Sequence, residues 1–245
     1  MKQLLLFALI LLLGSCNLSK VSVRFLNKQK IIYQESTQAI VENNGASVVD
    51  KNLANITKAD INSEGYVEML AWKSAQAAED YYQPVGQLDT LDSKYLTWVT
   101  KKSQMLDKSG QLGLNKWKGE RLALRLEQVL GLPPNCDTTR KFIEIWVKMD
   151  DLFRPCPDPE ITDFECDLTD PQGAYSGTPA EYQPVYDYIV SSTEDFPWTR
   201  LGYTYDWSTR NSSHFGLSEY VIRQNAVVLI KSKEKTEDWI GKNIR

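Results

Sequence analysis

Ten consecutive apolar residues, Leu4 to Leu13, follow Met1-Lys2-Gln3 and end at Gly14-Ser15-Cys16. As a helix they would span about 15 Å, roughly half of a bilayer's hydrocarbon core, so the run is too short for a transmembrane anchor. One cation, an apolar run of this length and small residues ahead of a cysteine have the form of a secretory signal peptide. This reading constrains the fold behind it. It removes residues 1–15 from the folded chain and assigns the remainder to a compartment where disulfides persist.

The last four residues of the signal, Leu13-Gly14-Ser15-Cys16, resemble the lipobox of bacterial lipoproteins. The resemblance implies cleavage before Cys16 and a diacylglyceryl group on its thiol. The mature chain is then a palmitate-type lipoprotein held at the membrane by its N-terminal lipid. Asn17 stands where an aspartate would direct retention at the inner membrane. By similarity, the expected address is the cell envelope, on the outer rather than the inner membrane.

The chain carries a formal charge of −4, and only Lys2 is charged within the first 15 residues. No basic stripe interleaved with aromatics is present, which argues against nucleic acid as a partner. With Cys16 lipidated, Cys136, Cys156 and Cys166 remain. Cys156–Cys166 is the expected disulfide, across a short loop already stiffened by Pro157 and Pro159; Cys136–Cys156 is the competing pair. A zinc site is excluded by the lack of a Cys-x-x-Cys pair and by His214 being the single histidine.

Residues 16–62 are polar and rich in Asn, Lys, Gln and Ser, the composition of a lipid-anchored tether, with a turn signal at Asn43-Asn44-Gly45. Behind it, residues 63–245 read as one domain. Tyr66 to Trp72, Tyr95 to Thr100 and Phe142 to Val147 have the aromatic and β-branched content of strands. A helix is expected from Lys73 to Gln83, stopped by Pro84. The clearest helix is Gly119 to Leu130, with Leu122, Leu126, Val129 and Leu130 on one face and Gly131 closing it.

Six of the ten prolines fall between 155 and 184, an irregular segment, with a short helix expected at Pro184 to Ile189. Leu201 to Trp207 reads as a half-buried strand with aromatics alternating on one face. Glu219 to Ile222 and Ala226 to Ile230 read as a final hairpin turned at Gln224-Asn225. With strands outnumbering helices and no regular βα alternation, the expected class is α+β with a mainly antiparallel sheet.

Three groups of residues have chemical potential. Asp163, Glu165 and Asp167 recur at every second position in an acidic loop that also holds Asp158, Glu160 and Asp170, a spacing that can direct oxygens toward Ca²⁺. The EF-hand pattern is not met, and a solvated acidic loop with no cofactor is the plainer expectation. The segment Pro197 to Trp207 combines Arg200 with four large aromatics, as binding pockets do and as cores do more often. His214 could serve as a general base oriented by Asp206 or Glu219, although no Gly-x-Ser-x-Gly elbow accompanies Ser212 and Ser213.

Ser218-Glu219-Tyr220-Val221-Ile222 resembles the late catalytic glutamate region of ADP-ribosyltransferase-like folds over about twelve residues. The accompanying arginine or histidine and the Ser-Thr-Ser strand are not identifiable. Residues Leu152 to Ile161 with Trp198 to Trp207 are also similar to uncharacterised bacterial exported proteins, a likeness that implies a shared fold and points to no known activity. The expected function is a binding or interaction module at the cell envelope, with a protein or small molecule as partner. The alternative is an envelope or secreted hydrolase or transferase using Arg200, Asp206, His214 and Glu219.

Overall fold

The structure is a computed structural model that describes residues 20–42, 48–91, 96–166 and 195–244. The signal peptide, Cys16, the Asn43-Asn44-Gly45 turn, Asp167, Asp170 and the helix expected at Pro184 to Ile189 lie outside the described residues. The described residues form an α+β body with five α-helices, a seven-stranded antiparallel sheet and a two-stranded ribbon.

The large sheet contains β1 (Tyr66–Lys73), β2 (Leu88–Thr90), β3 (Thr97–Lys101), β4 (Lys141–Lys148), β5 (Leu152–Phe153), β8 (Tyr220–Ile222) and β9 (Val227–Lys235), in the order β2-β9-β4-β1-β3-β8-β5. At its centre β1 and β4 pair along their whole length, from Tyr66 opposite Lys148 to Lys73 opposite Lys141. The ribbon is formed by β6 (Tyr203–Tyr205) and β7 (Phe215–Ser218).

Chain connectivity dictates the shape of the sheet. β4 and β5 are joined by Met149–Asp151, so four Cα steps of 3.8 Å reach at most about 15 Å. In a flat sheet the four strand spacings between β4 and β5 would require about 19 Å. The sheet therefore coils, bringing its far strands together. The same coiling lets the short turn Arg223–Ala226 pass from β8 to β9, with Asn225 at a φ of 60°.

The expected terminal hairpin is thus corrected. The turn lies where the sequence places it, but β8 pairs with β3 and β5, whereas β9 pairs with β4 and β2.

Coiling separates two cores. Inward residues alternate along the strands, with Val67, Met69 and Ala71 of β1 meeting Ile143, Ile145 and Val147 of β4, Tyr220 and Ile222 of β8, and Val228 and Ile230 of β9. On the outer face Leu70, Trp72 and Phe142 are covered by helices. These are α3 (Lys102–Leu112), α4 (Gly119–Val129) and α5 (Thr236–Asn243), which contribute Met105, Leu122, Leu126 and Trp239. α2 (Ala75–Tyr81), capped by Ser74, fills the helix expected before Pro84. α4 matches its expected limits, and Gly131 closes it at a φ of 65°.

Of the expected tether, 16–62, the described residues 20–42 and 48–62 carry structure that their composition does not suggest. Val23–Glu42 form a helix of 20 residues, α1. Its buried stripe is Gln29, Tyr33, Thr37 and Ile40, spaced as one helical face. Tyr33 meets Trp207 edge to face at 5.7 Å and donates its hydroxyl to Asp195 O at 2.8 Å. Gln128 Nε2 donates to Gln29 Oε1 at 2.9 Å, and the Thr37 hydroxyl donates to Tyr33 O at 3.0 Å. The two polar members of the stripe are satisfied in place, which is why an apolar count does not reveal it.

Further along, Leu53 and Ile56 are buried, and the backbone of Leu53 and Ile56 donates to Phe164 O and Ile161 O. Among the described residues no helix is long and apolar enough to cross a membrane.

Ile40 is 2% exposed and Ile31 is 55% exposed on the same helix. Ile40→Ala is expected to lower unfolding free energy by about 2–4 kcal/mol in chemical denaturation, and Ile31→Ala by less than about 0.5 kcal/mol. Equal, negligible effects would restore the tether.

Candidate functional site

The acidic residues singled out in the sequence are mostly committed to structure. Asp206 is fully buried and receives a bidentate pair from Arg125, at 2.8 Å from Nη1 and 2.7 Å from Nη2. It also accepts from Ser208 N and from Asn211 Nδ2. His214 stacks on Tyr205 at 4.6 Å, and its Nδ1 lies 2.8 Å from the backbone oxygen of Asp206. Arg200 has a φ of 59° and lies over Trp198 at 5.9 Å. The proposed four-residue catalytic group therefore does not converge. Of Arg200, Asp206, His214 and Glu219, only Glu219 lines the cavity described below.

The acidic loop behaves similarly. Arg154 is fully buried and forms an ion pair with Asp163 while also donating to Asp163 O, Glu165 O and Ala54 O. Glu165 turns toward Lys51 at 3.7 Å. Asp163 and Glu165 of the expected trio thus turn to different partners, and Asp167 lies outside the described residues. Asp163 instead lies with Asp158 and Glu160, their oxygens within 4.8 Å of one another. Burial pushes Asp158 and Asp163 above the usual carboxylate range. With Asp163 already held by Arg154, this cluster is a poor cation cage.

Cys156 and Cys166 form the disulfide expected from spacing. Cys136 is a buried free thiol at a φ of 59°, and burial beside Glu127 pushes it up to about 12. Glu127 is itself enclosed at the end of α4. It accepts from the backbone N–H of Asn135 and Cys136, both at 3.1 Å, yet burial raises it to about 7.

A cavity of about 390 Å³ opens on the outer face of the sheet, where β1, β3 and β4 meet the end of α4 and the ribbon. Trp72, Trp98, Phe142, Trp198, Tyr203 and Tyr205 supply aromatic wall, with Leu70 and Met105 at the buried end. Asp195 and Phe196 are exposed and mark the mouth. The lining is mostly apolar with few polar groups, a composition common in small-molecule sites.

Three of those polar groups carry buried atoms with no hydrogen-bond partner among the described residues: Thr100 Oγ1, Arg140 Nε and Glu219 Oε2. Thr100 is presented by β3 on the face opposite inward-pointing Val99. Arg140 precedes β4; its guanidinium stacks on Trp72 at 4.3 Å and its Nη2 donates to Trp72 O at 3.1 Å. Burial holds Arg140 below the usual guanidinium range, opposed by the charges of Glu127 and Asp137.

Glu219 occupies the single position between β7 and β8, where the chain leaves the ribbon and joins the large sheet. Its N–H is fixed to Gly202 O at 2.9 Å. Its neighbour Ser218 is locked by a reciprocal pair with Gln104, at 2.9 and 3.0 Å. Part of the Glu219 side chain faces the cavity, while burial raises the carboxyl to about 8. At neutral pH it is mainly the uncharged acid and can donate a hydrogen bond.

Sequence reasoning named Glu219 but placed it with the wrong partners. It missed Arg140 and Thr100, which lie about 80 and 120 residues from Glu219 along the chain and carry no local motif. The aromatics of Pro197 to Trp207 divide between roles: Trp207 is fully enclosed, whereas Trp198, Tyr203 and Tyr205 also form cavity wall. No protein-family model matches the chain, and no curated protein or solved structure matches it either.

Raising a carboxyl above its unfolded value of 4.5 means that the folded state binds the proton more tightly. The associated stability is present in full below pH 4.5 and declines as pH rises toward 8, by at most about 1.4 kcal/mol per pH unit. Glu219→Gln is expected to flatten the fall in melting temperature between pH 5 and pH 8. An unchanged slope would show that Glu219 does not titrate in this environment.

Proposed function

We propose that this chain is a lipid-anchored protein of the bacterial cell envelope whose folded part binds a small, largely apolar molecule in the aromatic cavity. The anchor rests on the signal and lipobox-like residues ending at Cys16. The binding role rests on one observation: Thr100 Oγ1, Arg140 Nε and Glu219 Oε2 all belong to residues lining one apolar cavity and have no partners among the described residues.

Each such buried atom costs about 1–3 kcal/mol. A ligand that supplies partners recovers that cost, and expelling water from the aromatic wall adds to the gain. The enzyme reading built on Arg200, Asp206 and His214 has less support. Asp206 is already neutralised by Arg125, and the residues do not share a cavity.

Titration of the purified full chain with N-phenyl-1-naphthylamine, which fluoresces in apolar surroundings, tests the cavity. Saturable enhancement is expected, reduced at least fivefold in Leu132→Trp, which places an indole at a lining position. No enhancement in the parent chain would defeat the binding role. Metabolic palmitate labelling is expected to disappear in Cys16→Ala; undiminished labelling would overturn the lipid anchor.

A further inference from the structure

We infer that a second, polar pocket, between α3, the start of α4 and the loop joining β6 to β7, receives a phosphate monoester. This open pocket of about 490 Å³ shares no lining residue with the aromatic cavity, so the inference stands apart from the binding role proposed above. Four cations, Lys108, Lys116, Arg125 and Arg210, face two carboxylates, Asp50 in the wall and Asp206 behind it, which leaves a net charge of +2. The chain as a whole is acidic, with a formal charge of −4.

Two of the cations are already engaged and build the floor. Arg125 answers Asp206, and its Nε donates to Leu112 O at 3.0 Å. Asn211 Nδ2 bridges Asp206 Oδ2 and Phe215 O, both at 3.0 Å, and Lys108 Nζ donates to Gly216 O at 3.3 Å. Lys116 and Arg210 have no carboxylate partner among the described residues, and both are exposed.

Trp117 brings these two together. The Arg210 guanidinium lies 5.9 Å from the centre of its ring. A Cβ added at Gly113, where φ is 68°, would lie 3.8 Å from both Lys116 Cδ and Trp117 Nε1, so those side chains meet above the same backbone. Trp117 Nε1 itself has no acceptor among the described residues. Two unanswered cations and a free indole N–H are therefore gathered around one side chain, and all are donors.

That set selects its ligand by charge and by acceptor count. A phosphate monoester carries close to two negative charges at neutral pH and presents three strong acceptor oxygens on one centre. A guanidinium and an ammonium both suit such oxygens. A carboxylate or a phosphate diester brings a single charge and two terminal oxygens, and leaves part of the site unanswered. Because the pocket is open, its attraction is screened by salt.

Titration of glycerol 3-phosphate with the full chain at low ionic strength, followed by the phosphorus-31 resonance, tests the assignment. A saturable shift is expected, weakened severalfold by salt at about 1 M. Malonate, which carries the same charge on two carboxylates, should displace it only at about fivefold higher concentration or more. Arg210→Gln and Lys116→Gln should each weaken binding at least about threefold. Lys118→Gln, an exposed lysine outside the pocket, should leave it unchanged. Melting curves check that each variant is folded.

Dihexanoylphosphatidic acid distinguishes the sources of the ester. Binding as tight as that of glycerol 3-phosphate identifies a lipid headgroup, and binding of glycerol 3-phosphate alone identifies a free phosphate ester. Absence of a saturable shift in the parent chain would overturn the site. Displacement by malonate at equal concentration would overturn the phosphate assignment, and an equal loss in Lys118→Gln would reduce the effect to the general charge of this surface.

Discussion

The short link between β4 and β5 governs the architecture. Met149–Asp151 cannot span a flat seven-stranded sheet, so the sheet must coil. Once it does, each strand has a concave and a convex face with different requirements. The concave face is filled by side chains of the strands, Met69, Ile145, Ile222 and Ile230 among them, together with Ile56, Ala78, Tyr82 and Ile161 from outside the sheet. The convex face cannot close itself and is covered by α3, α4, α5 and the β6–β7 ribbon. The cavity lies where two of those covers, the end of α4 and the ribbon, come together over β1 and β3 without filling the space.

Other interactions tie the covers to the sheet. Thr204 Oγ1 donates to Val129 O and accepts from Leu217 N at 2.8 Å, joining the ribbon to α4. Gly216 fits this junction because an added Cβ would lie about 2.5 Å from Val129 O, closer than real contacts allow. Arg125 and Asp206 make a second connection between α4 and the chain after β6. On the opposite side Arg154 gathers the disulfide loop and the backbone of Ala54, and the Tyr220 hydroxyl reaches the same Ala54 oxygen. Removing one member of such buried groups leaves its partners unsatisfied, so they act as structural joints.

Much of the local structure was legible because it follows short-range rules. The α4 stripe, the Gly131 stop, the central strands and the Cys156–Cys166 bridge all lie within windows of about a dozen residues. Three things were not legible, for physical reasons. α1 hides because Gln29 and Thr37 sit in its buried face and find hydrogen bonds there. β8 and β9 resemble a hairpin because alternating hydrophobicity reports burial, not the identity of the neighbouring strand. The cavity joins Thr100, Arg140 and Glu219 only through coiling, which no local spacing encodes.

The contrast between the chain's acids sharpens how a site can be distinguished from a structural joint. Asp206 and Asp163 lie close to interesting residues in sequence, but their charge is answered by Arg125 and Arg154. Glu127 is deeply buried too, yet backbone N–H groups of the loop after α4 converge on it, so its burial organises that loop. Glu219 is partly buried and has neither form of compensation among the described residues. A fold that needed only apolar filling at this point would be more stable with leucine there, because an unpaired buried acid costs free energy. Retaining the acid in the wall of a cavity that also carries an incompletely bonded arginine and hydroxyl, in a space large enough for a guest, is consistent with a partner supplied from outside the fold.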